Sequence, residues 1–313
     1  AIVDAGATGT NIIATTGTVT LTGATGIGSG DAIETNTAVL VLDSNQSIQI
    51  ANSTTNLTDL TLTLDPGSTV DTYSITDGNM TLTLADSGAD TDIGGLTLSA
   101  GNLNFSLNTD TGAITTSGAM NVGTGSFALT NNDTGTGSAI TLSNTLAAGS
   151  LTVNANGQFS DINLSAAITI TTGAVTLTAD DAVNINSGGS ITANGTGNVS
   201  LTANNVTTDG NSFDVIQMSS GTSIDAGSGT ITLTAVGVNA SNNTLRQLTT
   251  TNSSSSALVI NALGNVALND TVSVTGDMSV TSSGNISQTA TLTIGGASSF
   301  DTSASTGTIT LTQ

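Results

Sequence analysis

The chain has 313 residues, with 22 acidic side chains set against one basic residue, Arg246, and no histidine or cysteine. These absences exclude histidine triads, thiolate nucleophiles, lysine Schiff bases and zinc sites built on His or Cys. The missing basic patch also excludes nucleic acid and polybasic adhesion to anionic membranes.

Disorder does not fit the composition. Mean hydropathy is +0.21, and Val, Ile and Thr alternate densely where a disordered chain would be poor in β-branched residues. Aromatic residues make up only 2%, so the core must be narrow and built from Val, Ile, Leu and Ala. No run of about 18 apolar residues occurs, so no membrane insertion by a helix is expected. The chain opens AIVDAGATG, without a basic stretch and apolar run of its own, so a mature or internal segment is expected.

Taken in order, residues 1–30 already show short alternating strands around Ile12–Ile13 and TVTLT at Thr18–Thr22, with glycine turns at Gly17, Gly23 and Gly26. VLVLD and SIQI follow between Ala38 and Ile50. LTLTL (Leu60–Leu64), MTLTL (Met80–Leu84) and LNFSL (Leu103–Leu107) come next, their central residues Leu62, Leu82 and Phe105 lying 20 and 23 apart. Pro66, the only proline, is expected at a corner, since it cannot donate to a ladder. Further strands are expected at Phe127, Ile140, Leu151 and Ile168.

The rhythm is clearest in Ala174–Ala203. Val175 with Leu177, Val183 with Ile185, Ile191 with Ala193 and Val199 with Leu201 form apolar pairs that begin eight residues apart. Each pair lies on one face of a strand, and the Gly-, Asn- and Asp-rich stretches between them supply corners. Three such steps make a coil, so Val199 should stack on Val175, and Asp180 with Asp181 should form a corner.

Two less regular segments are expected near 207–222 and 236–256, the second containing Arg246. Regular strands resume at Leu258, Val266, Val272, Met278, Leu292 and Ile309, and neither terminus offers a polar cap. The pattern predicts an all-β fold, a right-handed parallel β-helix (β-solenoid) of triangular section with roughly 20–24 residues per coil. It would form one elongated domain over residues 1–313. Tandem immunoglobulin-like sandwiches are the alternative, disfavoured by the absent Trp and the eight-residue step.

The stretch GAVTLTADDAVNINSGGSITANGTGNVSLTANN resembles the haemagglutinin repeats of filamentous-haemagglutinin-type adhesins and related autotransporter passengers. The resemblance covers most of the chain loosely and Ile168–Asn205 most closely. It implies a long parallel β-helix at the bacterial cell surface, acting in adhesion, aggregation or biofilm without catalysis. The NPNG-type secretion motif and an aromatic-terminated barrel have no counterpart here.

Candidate chemistry rests on carboxylates. Asn108-Thr109-Asp110 and Asp180-Asp181 match fragments of pectin-degrading β-helix hydrolases, but the companion basic motifs are absent, and no catalytic residue is assigned. DSGADTDIGG gathers Asp86, Asp90 and Asp92 beside Gly94, a hard-oxygen set suited to calcium, although the EF-hand glutamate is missing. No cofactor is required, and calcium is the one candidate. Asn-x-Ser/Thr sequons, as at Asn52 and Asn285, arise readily in such a composition.

The expected function is that of a non-enzymatic extracellular structural or adhesive segment of a surface adhesin or fibre. The alternatives are a self-assembling head-to-tail filament or surface-layer subunit and, remotely, a carbohydrate-active enzyme. Expected partners are neighbouring copies or segments of the same fibre, and carbohydrate or a host or cell surface.

Overall fold

The computed structural model of the chain describes residues 2–3, 10–23, 27–28, 33–44, 48–52, 59–64, 71–76, 79–86, 91–98, 102–109, 112–132, 138–157, 159–203, 214–236 and 242–312. Among the described residues the only regular secondary structure is β, and every strand pairing is parallel. The chain is a parallel β-solenoid.

From Ile114 to Asp301 each coil has three strands, and eight coils follow one another. One face carries the longer strands, such as Val175–Ala179 and Val199–Ala203. The first short face follows it, with Val183–Ile185 and Ile216–Met218. A second short face, with Ser190–Ala193 and Ser223–Asp225, completes the coil.

The expected register holds. Val175 pairs with Val199 and Leu177 with Leu201, and all four are fully buried. The same column runs Phe127, Leu151, Val175, Val199, Ile231, Leu258 and Met278. Alternation is the cause: in these short strands buried and partly exposed residues alternate, because successive side chains point to opposite sides of the pleat.

Beside the two large columns of the long face runs a third of small residues: Ala155, Ala179, Ala203, Ala235 and Ala262. It sits where the chain turns the corner. Its upper neighbour is the buried Asn131, whose Nδ2 donates to the carbonyls of Gly112 (2.8 Å) and Ser138 (3.2 Å). Ser282 at the other end donates its Oγ to the Gly264 carbonyl at 2.7 Å. Polar side chains thus enter the core where they can satisfy corner carbonyls.

Upstream the coil changes form. Thr91–Leu98 is one strand, yet its first half pairs with Ile114–Thr116 and its second half with Met120–Asn121. The two short faces have fused. Its pairing with Asp71–Thr76 slips by one residue at Gly94, the mark of a bulge, so this glycine lies within a strand. The long face continues through Asn102–Thr109, Asn79–Asp86, Asp59–Leu64 and Ile33–Ser44 to Ile12–Gly23. With rungs roughly 4.8 Å apart, its thirteen strands make a stack of about 60 Å.

Most coils repeat at the expected 20–24 residues, and the longest, from Val199 to Ile231 and from Ile231 to Leu258, both add residues after the long face. Ala203 is followed on the ladder by Ile216, and Ala235 by Asn243, whereas Ala262 is followed by Val266 after three intervening residues. The extra length of the first coil enters chiefly at the corner between the long face and the first short face. In the second it is shared with the corner ahead of the long face, where seven residues separate Thr250 from Leu258 against three between Val274 and Met278. The ladder itself continues through both stretches expected to be irregular: Ile216–Met218 lies in the first, and Asn243–Leu245 with Gln247–Thr250 in the second. Arg246 sits between those last two strands and donates its Nε–H to the Met218 carbonyl on the preceding coil at 3.2 Å.

Candidate functional site

The outward residues of the first short face stack in register as Asn163, Asn184, Gln217, Thr244, Ala267, Ser287 and Thr310. All but Ala267 can donate or accept hydrogen bonds. Beside them, just ahead of each strand, runs a corner column that includes Asp161, Ala182, Val215, Asn242, Asn265, Asn285 and Thr308.

Side chains of this corner column bind the backbone of the next coil. Asp161 Oδ1 accepts from the Ala182 N–H at 3.0 Å, Asn265 Oδ1 from Asn285 at 2.6 Å, and Asn285 Oδ1 from Thr308 at 2.8 Å. Asn198 and Asp277 do the same for Thr230 and Ala297 ahead of the long face. This explains the recurring Gly-Asn and Gly-Asp pairs. The amide or carboxylate replaces a missing corner partner for a backbone donor, and the glycine before it lets the coils approach. Amides also bond one another along the stack, from Asn184 Nδ2 to Asn163 Oδ1 at 3.1 Å and from Asn265 Nδ2 to Asn242 Oδ1 at 2.5 Å.

Two concavities open along this face. One, of about 390 Å³, is lined by Asp161, Asp181, Asn184, Val215, Gln217 and Asn242 among others. The second, of about 380 Å³, is lined by Asn242, Asn265, Asn285, Ser287 and Thr310 among others. Asn242 borders both, so they lie end to end as an amide-lined trough along the solenoid axis.

The trough has an acidic end. Burial pushes the Asp161 carboxyl above its ordinary 3.8, and the Ala182 N–H offsets part of that rise. The folded state therefore holds this proton more tightly than the unfolded chain. The resulting stabilisation is complete below the ordinary aspartate range and disappears as pH climbs through the raised value.

Asp180 and Asp181 occupy the bend after Val175–Ala179, the corner expected of them, but Asp181 is only 5% exposed. The sequence gives no sign of that burial, because a corner aspartate reads as solvated. Asn243 was equally hidden: it points inward, its Oδ1 accepting from the Ile216 N–H at 2.8 Å. Its position in the alternation of Asn243–Leu245 is the one available signal.

Of the calcium candidates, Asp86 ends the strand Asn79–Asp86 and Asp92 is the second residue of Thr91–Leu98, while Asp90 lies outside the described residues. Among the described residues no three carboxylates gather as a metal-binding group. Asn108 and Thr109 close a long-face strand, and Asp110 lies outside the described residues. Thr109 and Ala179 are three rungs apart through Asn131 and Ala155. That places the backbone of Thr109 and Ala179 about 14 Å apart by rung spacing.

Residues 254–313 match the family described as repeats of unknown function, DUF5649. No curated protein and no solved structure matches the chain. The matched stretch is where the coil is most regular: Leu258, Met278 and Ser298 stack at intervals of 20 residues, as do Val272 and Leu292. One coil is thus one 20-residue repeat there, and the chain is a repeat-containing parallel β-solenoid whose residues 254–313 are similar to DUF5649 repeats.

Proposed function

We propose that this chain is a non-enzymatic extracellular β-solenoid, a rigid segment of a bacterial surface adhesin or fibre. The observation that carries the reading is the unbroken parallel ladder of the long face, from Ile12–Gly23 to Ser298–Asp301. A stack in which each coil is hydrogen-bonded to the next gives length and stiffness without a globular core. The residue inventory supports the same reading. With no His, Cys or Lys, the chain lacks the side chains that most often serve as nucleophile or general base. Its repeats also suit a surface environment where proteases act. Arg246 is the single site for a trypsin-like enzyme, and it is partly buried between two strands.

Antiserum raised against the purified chain should label intact cells of the producing bacterium, and external protease should reduce that signal. Label that enters only after permeabilisation would contradict the surface assignment. Negative-stain images of the isolated chain should show short rods, whereas long fibres would favour head-to-tail polymerisation.

A further inference from the structure

We propose that the trough along the first short face binds an extended, uncharged, hydroxyl-rich polymer, a neutral polysaccharide, laid parallel to the solenoid axis. The inference rests on the non-enzymatic contact role proposed above and names its partner class. The first argument is shape. The corner column from Asp161 to Thr308 spans six rungs, about 29 Å by rung spacing, and the two concavities it borders meet at Asn242. A compact ligand would occupy one of them, and only an elongated one fills both.

The second argument is hydrogen-bonding chemistry. A sugar hydroxyl both donates and accepts, and so does each primary amide. Amides are the commonest groups in the trough. Asn184 Nδ2 is used by Asn163 and Asn285 Oδ1 by Thr308, which leaves Asn184 Oδ1 and Asn285 Nδ2 without partners among the described residues. One acceptor and one donor thus remain for a ligand.

The third argument is exclusion. No Lys, Arg or His lines the trough, its only charges are Asp161 and Asp181, and the chain carries a net charge of −21, so a polyanion is repelled. A protein partner would need aromatic or large apolar anchors, but no aromatic side chain lines the trough, and its hydrocarbon is divided among Ala182, Val215, Ala267, Ile286 and the carbon atoms of the polar side chains. The two longest coils agree: both add residues at the corner bordering this face, between Ala203 and Ile216 and between Ala235 and Asn243, and insertions in solenoids are often found on the binding face.

Affinity electrophoresis of the whole chain through gels containing a linear β-glucan, a galactomannan or dextran tests the proposal, with heparin and polygalacturonate as anionic controls. At least one neutral polymer should retard the protein, and neither anionic polymer should. Replacing Asn184, Gln217 and Asn242 together by Ala should weaken the apparent affinity about tenfold or more, the loss expected when several modest hydrogen bonds disappear. Ala267→Leu, which fills the trough without removing a hydrogen-bonding side chain, should weaken it too and covers the case in which the triple variant misfolds. Thr176→Ala with Thr232→Ala, on the long face, should change nothing.

Absence of retardation by all three neutral polymers would overturn the proposal, as would retardation that survives both trough variants. Either result would leave surface labelling of cells untouched. Shortening of the polysaccharide during the run would instead contradict the non-enzymatic reading.

Discussion

Replacing Gly197 by alanine should destabilise the solenoid by about 2–4 kcal/mol, the range of severe overpacking in a site that cannot relax. A Cβ at this position would lie 1.9 Å from the carbonyl oxygen of Gly173 on the coil below. Gly229, on the coil above, meets the Gly197 carbonyl at 2.0 Å in the same way. These glycines form a column at the entrance to the long face, where backbone packs directly on backbone. The obstacle is another coil's main chain, so no side-chain rotation can relieve it. Gly221 provides the contrast, because nothing lies within 4 Å of its added Cβ and its φ of +80° is the only restriction. Gly221→Ala should cost about 1 kcal/mol, the ordinary penalty of the left-handed region. Urea midpoints followed by circular dichroism should rank wild type above Gly221→Ala and Gly221→Ala above Gly197→Ala. Equal midpoints for the two variants would show that the coils are not stacked at Gly197.

Truncating Phe127 should be about as damaging. Its ring is fully buried and stacked on Phe105, with centroids 4.8 Å apart and planes 9° from parallel, and Leu151 follows it in the column. Phe127→Ala removes that contact and leaves a cavity within a narrow core, a loss of about 3–5 kcal/mol. Phe127→Leu fills most of the space and should cost about 1.5 kcal/mol or less. Phe300 is a useful comparison. It continues the neighbouring column onto the last coil but is only partly buried, so Phe300→Ala should cost less than Phe127→Ala. Hydrogen exchange near Ala128–Asn131 should rise in Phe127→Ala before it rises at Val280, since each coil depends mainly on its neighbours.

The contrast between Gly197 and Gly94 shows what could be read from sequence. Around Val175–Ala203 apolar pairs recur at a fixed step, and a period of two within a strand leaves no choice of face. The register of Val175 on Val199 therefore follows from counting. Gly94 could not be placed this way, because a glycine between strand-like runs suits a corner, a bulge or a cation loop equally well. The neighbouring coil decides between them, and the fused strand Thr91–Leu98 records the outcome. The site was less legible still. Asn184, Gln217 and Asn242 are far apart in the chain and look like ordinary polar filling. They become a trough only because coils of unequal length bring them into two adjacent columns of one face. Burial of Asp181 has the same origin, since it depends on what the next coil places above the bend.

The coil-on-coil stack is most directly tested by distances between spin labels, which the absence of native cysteine makes straightforward. Cysteines placed at Thr152 and, in turn, at Thr232, Ser279 and Ser299 would lie on one outward column, three, five and six rungs apart. Pulsed dipolar spectroscopy should return separations that grow linearly, near 14, 24 and 29 Å, by about 4.8 Å for each rung. Distances that fail to rise with rung number, or that fold back as in antiparallel hairpins, would contradict the solenoid.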